Sequence, residues 1–99
     1  MKVTAKRARQ IKRGDTVLSF AFLQSDVEKR NLLGSIQAFI DGGAQVRPIG
    51  RVRVAHVMTD DDVVSVEFWP GEGDERDKLP PSNYSLIGHF LVIDKAKAK

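Results

Sequence analysis

The segment from Ser25 to Gly43 constrains the fold more than any other stretch of this chain. Ser25-Asp26-Val27-Glu28 is a capping box, in which the Ser25 hydroxyl accepts from the Glu28 amide and the Glu28 carboxylate reaches back. At about 100° per residue, Leu32, Leu33, Ile36, Phe39 and Ile40 fall within an arc of about 120°. Gly42-Gly43 then supplies a residue able to take positive φ where the helix must stop. Gly34 argues for a hairpin instead, since glycine costs about 1 kcal/mol inside a helix. Cap, arc and stop agree, and they predict a helix over about 26–41.

The flanking segments read as strands. Thr16–Leu23 is β-branched and aromatic and carries apolar residues at both parities, as does Leu86–Ile93. Such strands sit centrally in a sheet. Ala44–Ile49 is extended in pattern but interrupted by Pro48, so it is a candidate extra strand at an edge or bulge. Arg51–Met58 and Val63–Trp69 form a hairpin around Thr59-Asp60-Asp61-Asp62. A register that sets Met58 against Val64, His56 against Val66 and Val54 against Phe68 gives one apolar face. A slip by one residue would set Val54 against Glu67 and Arg53 against Phe68, burying charge. The expected buried side is therefore Val54, Met58, Val64, Val66 and Phe68, with Arg51, Arg53, Ala55, Glu67 and Trp69 opposite. Pro70–Tyr84 reads as a long polar loop. The expected fold is α+β, a single domain in the order β-α-β-β-β, with one amphipathic helix packed on a mostly antiparallel sheet.

Charge divides the chain into three parts. Residues 1–14 carry six basic side chains and no acid, residues 95–99 carry three lysines, and the body from 15 to 94 is net −6. The reading is a basic N-terminal arm (1–14), one domain (15–94) and a basic C-terminal tail (95–99), with an edge strand or short helix near Ile11. Basic ends flanking an acidic body suit phosphate-rich partners. At 99 residues and 41% hydrophobic, one core can form without a staple. There is no cysteine, hence no disulfide framework or thiolate metal site. The longest apolar run, Val17–Leu23, is far shorter than the ~20 residues a membrane helix needs. The expected location is the cytoplasm.

The remaining chemistry is sparse. His56 and His89 lie on apolar strand faces, where histidine is usually a core residue. Asp60-Asp61-Asp62 lacks the alternating ligands, glycine and distal glutamate of a calcium loop. Gly71-Glu72-Gly73 fits no phosphate-loop pattern, and no Gly-x-Ser-x-Gly elbow is present. No cofactor, metal site or enzyme activity is implied.

Arg9-x-x-x-Arg13 and Asn83-x-Ser85-x-x-Gly88 resemble the two motifs of the PilZ cyclic-di-GMP receptors. In that family the second motif follows the first closely, and most of the barrel comes after it. Here 69 residues separate the motifs and eleven follow, so no family is assigned.

A basic arm and an Arg/Trp sheet face carry the functional expectation. Lys6, Arg7, Arg9, Lys12 and Arg13 would hold phosphates. Arg47, Arg51 and Arg53 share strand parity, and Trp69 lies near Arg53, so bases could stack there as they do on sheet-face binders. The expectation is a non-enzymatic nucleic-acid-binding protein, RNA ahead of DNA. The alternative is a protein-interaction or self-associating assembly subunit of a phage or mobile-element complex.

Overall fold

The computed structural model describes residues 2–69 and 81–94. They form a six-stranded antiparallel sheet and one helix: β1 (Lys2–Arg7), β2 (Thr16–Ala21), α1 (Asp26–Asp41), β3 (Gly50–Met58), β4 (Val63–Phe68), β5 (Ser82–Ser85) and β6 (His89–Asp94). The sheet order is β1-β6-β2-β3-β4-β5. The fold is thus the expected single α+β domain, with two strands more than the expected order. The proline-interrupted segment Ala44–Ile49 is not a strand, and its Ile49 amide instead donates to the Val17 carbonyl at 2.8 Å. Residues 70–80 of the expected polar loop, and the basic tail 95–99, lie outside the described residues; 82–85 form β5 instead of loop.

The N-terminal segment forms an edge strand and then a short helix near Ile11, the two forms expected for it. Lys2–Arg7 pairs with β6 throughout, from Lys2 opposite Asp94 to Arg7 opposite His89. A 3-10 turn at Ala8–Gln10 follows, and both Ala8 and Ile11 are buried in the core. Only Val3 and Ala5 alternate as apolar residues here, too faint a signal for a strand by pattern. Lysines on an edge strand keep it from pairing with other chains, and the helix covers what remains: the Val3 amide donates to the Gln37 side chain at 3.0 Å.

Helix α1 keeps the boundaries its sequence predicts. The Glu28 amide donates to Ser25 Oγ at 3.1 Å, and the Gln24 amide donates to Glu28 Oε1 at 2.8 Å, which closes the box one residue earlier than expected. Gly43 takes φ +95 at the stop. Leu32, Leu33, Ile36 and Ile40 are half-buried, but Phe39, at the margin of the arc, is 68% exposed.

Strand β6 is buried on both faces, as expected for a central strand: Phe90, Leu91, Val92 and Ile93 are all buried. Phe90 and Val92 join Val17, Val52, Val64, Val66 and Phe68 in the main core, beside Phe20 and Tyr84. The Phe90 ring lies 4.8 Å from Tyr84 and 5.2 Å from Phe20, both edge-on, centroid to centroid. Leu91 and Ile93 point to the other face, with Val3 across from Ile93 on β1, the strand against which α1 packs. Strand β2 is central too, yet only Val17 on it is buried, and Phe22 beyond its end is 58% exposed.

The β3–β4 register corrects the expectation. Met58 faces Val63, Val57 faces Val64, Ala55 faces Val66 and Val54 faces Glu67, one residue slipped from the favoured pairing. The slip buries no charge because a bulge intervenes: the next pair is Val52 with Phe68, and Arg53 is the extra residue. The bulge shifts the phase, so Val52 before it and Ala55 and Val57 after it all turn inward. Val54, expected in the core, is 45% exposed; His56 is exposed and Met58 half-buried. Arg51 and Arg53 are exposed, as expected, while Ala55 packs on the core instead.

Candidate nucleic-acid interface

Three backbone hydrogen bonds assemble a place where the two expected basic groups meet. The Trp69 amide donates to the Arg51 carbonyl at 2.9 Å, extending the β3–β4 ladder by one residue. The Gly14 amide donates to the Val52 carbonyl, and the Val52 amide to the Asp15 carbonyl, each at 2.8 Å. Residues 13–15 are thereby laid alongside β3, and Gly14 makes the turn at φ +95. The Arg51 guanidinium lies 4.2 Å from the centre of the Trp69 ring, and that of Arg13 lies 5.1 Å from it. Each such cation–π contact stabilises an exposed site by about 0.5–1 kcal/mol.

The other expected site residues are placed differently. Lys6 forms a 2.8 Å ion pair with Asp15, whose side chain is only 12% exposed. Asp15 also accepts from the Lys12 amide at 3.0 Å, so this carboxylate fixes the turn that delivers Arg13. Arg53 pairs with Glu67 at 3.3 Å, a surface contact of small net effect. Arg9 and Lys12 are exposed around the 3-10 turn. Arg7 ends β1 and borders a cavity beside His89. Arg47 sits in the loop after α1, lining a pocket with Ile40 and Asp41 of the helix end, so the expected stripe of Arg47, Arg51 and Arg53 does not form.

Asp15 belongs to the site although it was not among the expected residues; its signal in the sequence is a lone acid one glycine after the basic segment. No local signal could have joined Arg13 to Trp69, because that contact depends on how β2 and β3 pair. The acidic turn at Thr59–Asp62 lies at the far end of the hairpin, with the six residues of β4, about 20 Å of strand, between it and Trp69. Asp62 takes φ 58, and its carbonyl accepts from the Leu86 amide at 2.9 Å.

The structure also brings the two motif-like segments together, as the Ala8 amide donates to the Gly88 carbonyl at 3.1 Å. No group of side chains suited to holding a metal ion occurs among the described residues, nor any helix long and apolar enough to cross a membrane. No family model, curated protein or solved structure matches the chain.

Proposed function

We propose that the protein binds single-stranded nucleic acid, RNA ahead of DNA, at the surface formed by Trp69, Arg13 and Arg51. The observation that supports this reading is the pair of guanidinium groups over one indole ring. An aromatic face and arginine planes are what unstacked bases stack on, and the same arginines attract phosphates. Arg9 and Lys12, exposed on the preceding turn, add positive charge, Arg53 is paired with Glu67, and the acidic Asp60–Asp62 turn lies at the far end of the hairpin. On this reading the protein binds without catalysis and works in the cytoplasm.

Trp69 is the chain's one tryptophan, so its fluorescence reports directly on stacking. Oligonucleotides added at low salt should quench it to saturation. Arg13→Gln and Arg51→Gln should each flatten the slope of log affinity against log salt by about 0.7 on single strands. Trp69→Ala, followed with a labelled oligonucleotide, should weaken binding by about 1–3 kcal/mol with little change in slope. Unquenched fluorescence with both RNA and DNA at low salt rejects the proposal.

A protein partner or a second copy of the chain is the other reading. Phe39 and Ile87 favour it, being 68% and 76% exposed. A solution mass that rises with concentration, and falls back in Phe39→Ser, would select it.

A further inference from the structure

A second basic site lies at the opposite end of β2. Arg7 ends β1, His89 begins β6 and Ala21 ends β2; His89 is the register partner of both of the others. The start of α1 stands over the same corner. Between them is a cavity of about 300 Å³, bordered by Arg7, Gln10, Gln24, Lys29 and His89, with Asp26 the only acid among its described lining residues. That volume is at the lower end for small-molecule sites. The cavity lies about 17 Å along β2 from the Thr16 end, where Arg51 and Trp69 are found.

Two observations give this corner an unmet need for an anion. The first is charge. Arg7 and Lys29 contribute two fixed positive charges, whereas the Asp26 carboxylate is 90% exposed and stands 4.0 Å from Lys29 Nζ. The second is an orphan polar atom. His89 Nδ1 is buried and has no hydrogen-bond partner among the described residues, a condition rare among buried polar atoms. Burial first, then the charges of Lys29 and Arg7, hold the imidazole below its ordinary value of 6.5, so it is neutral at physiological pH. A neutral imidazole can carry its proton on Nδ1 and donate it. The helix start adds little of its own, because Ser25 already occupies the Glu28 amide.

We infer that this cavity binds a phosphoryl group, held by Arg7 and Lys29 beside the imidazole of His89, with the side-chain amides of Gln10 and Gln24 as further donors. A phosphate dianion balances the two fixed cations, and its several acceptor oxygens match donors arriving from three elements. Inorganic phosphate and the phosphate of a nucleoside 5′-monophosphate present the same chemistry. The inference is independent of stacking at Trp69, since a different end of the sheet carries it.

His89 and His56 are the chain's two histidines, and His56 is exposed, so ring NMR provides both probe and control. Inorganic phosphate, added at constant ionic strength, should shift the His89 ring signals saturably and raise the His89 titration midpoint. His56 should do neither. Arg7→Gln with Lys29→Gln should abolish the saturation while leaving the folded spectrum intact, because neither side chain is in the core. Tighter binding of adenosine 5′-monophosphate than of phosphate, with adenosine inert, would identify an ester as the ligand; equal binding would identify the free anion. The inference is overturned if His89 does not respond at about 10 mM phosphate, ten times the level that half-fills a 1 mM site. It is equally overturned if the double variant responds like the parent, or if His56 shifts as much as His89.

Discussion

No residue of α1 is buried, whereas the β3–β4 hairpin buries Val52, Val64, Val66 and Phe68. The helix is closed by contacts within its own ends: Ser25 and Glu28 at the start, the Gly42 amide on the Ala38 carbonyl at the finish. The hairpin has only a short turn of its own, and its pairing is decided by what its side chains meet across the core. Local order and stability are thus carried by different parts of the molecule. Apolar burial gives about 25 cal/mol per Å², so the hairpin and β6 dominate stability, while α1 covers β1 and shields the sheet edge.

The largest expected effect is at Phe68. Phe68→Ala should destabilise by about 3–5 kcal/mol in denaturant unfolding, because the ring is 5% exposed and packs in the main core. A loss smaller than that of a helix-cap variant would break the contrast. Gly88→Ala comes next. A Cβ at that position would run into the Phe20 ring, so the aromatic cluster must shift, at about 1–3 kcal/mol.

Two helix substitutions sharpen the other side of the contrast. Ser25→Ala removes the cap and should cost about 1 kcal/mol. Gly34→Ala should stabilise by up to about 1 kcal/mol, since nothing lies within 4 Å of an added Cβ. If both changes leave the unfolding midpoint unmoved, the helix is held by packing after all.

The smallest effect is that of pH. His89 is held below 6.5 in the folded protein, so the unfolded chain takes up the proton first as pH falls. The stability that His89 contributes is therefore complete above pH 6.5 and is lost as pH falls through the lower, folded value. The difference in unfolding free energy between parent and His89→Gln should shrink over that interval. Phosphate bound beside His89 should reduce that loss, since it favours the protonated ring in the folded state and brings its value back toward 6.5.

The helix was legible because its determinants are neighbours in the chain. Ser25 and Glu28 are three residues apart, and Gly43 follows the last turn directly; no distant contact can rearrange them. Strand β6 was legible for a related reason, since burial on both faces shows as an unbroken apolar run from Phe90 to Ile93. The β3–β4 pairing was not. Alternation along Val52, Val54, His56 and Met58 suits an unbroken strand, and nothing local marks Arg53 as the residue to be extruded.

Only the tertiary structure could decide the bulge, because it reconciles Val52 facing Phe68 with Val57 facing Val64 while leaving Arg53 in water beside Glu67. The sites follow the same division. Composition placed the basic residues and the single tryptophan, and so defined what chemistry was available. Which of them meet was settled by backbone pairing. Gly14 and Asp15 bonded to Val52 carry Arg13 to Trp69, and the β1–β6–β2 ladder sets Arg7 beside His89. Side-chain chemistry is a property of the residue and can be read from one position. Proximity between residues dozens of positions apart is set by the register of the whole sheet, in which a shift of one residue turns every side chain to the other face.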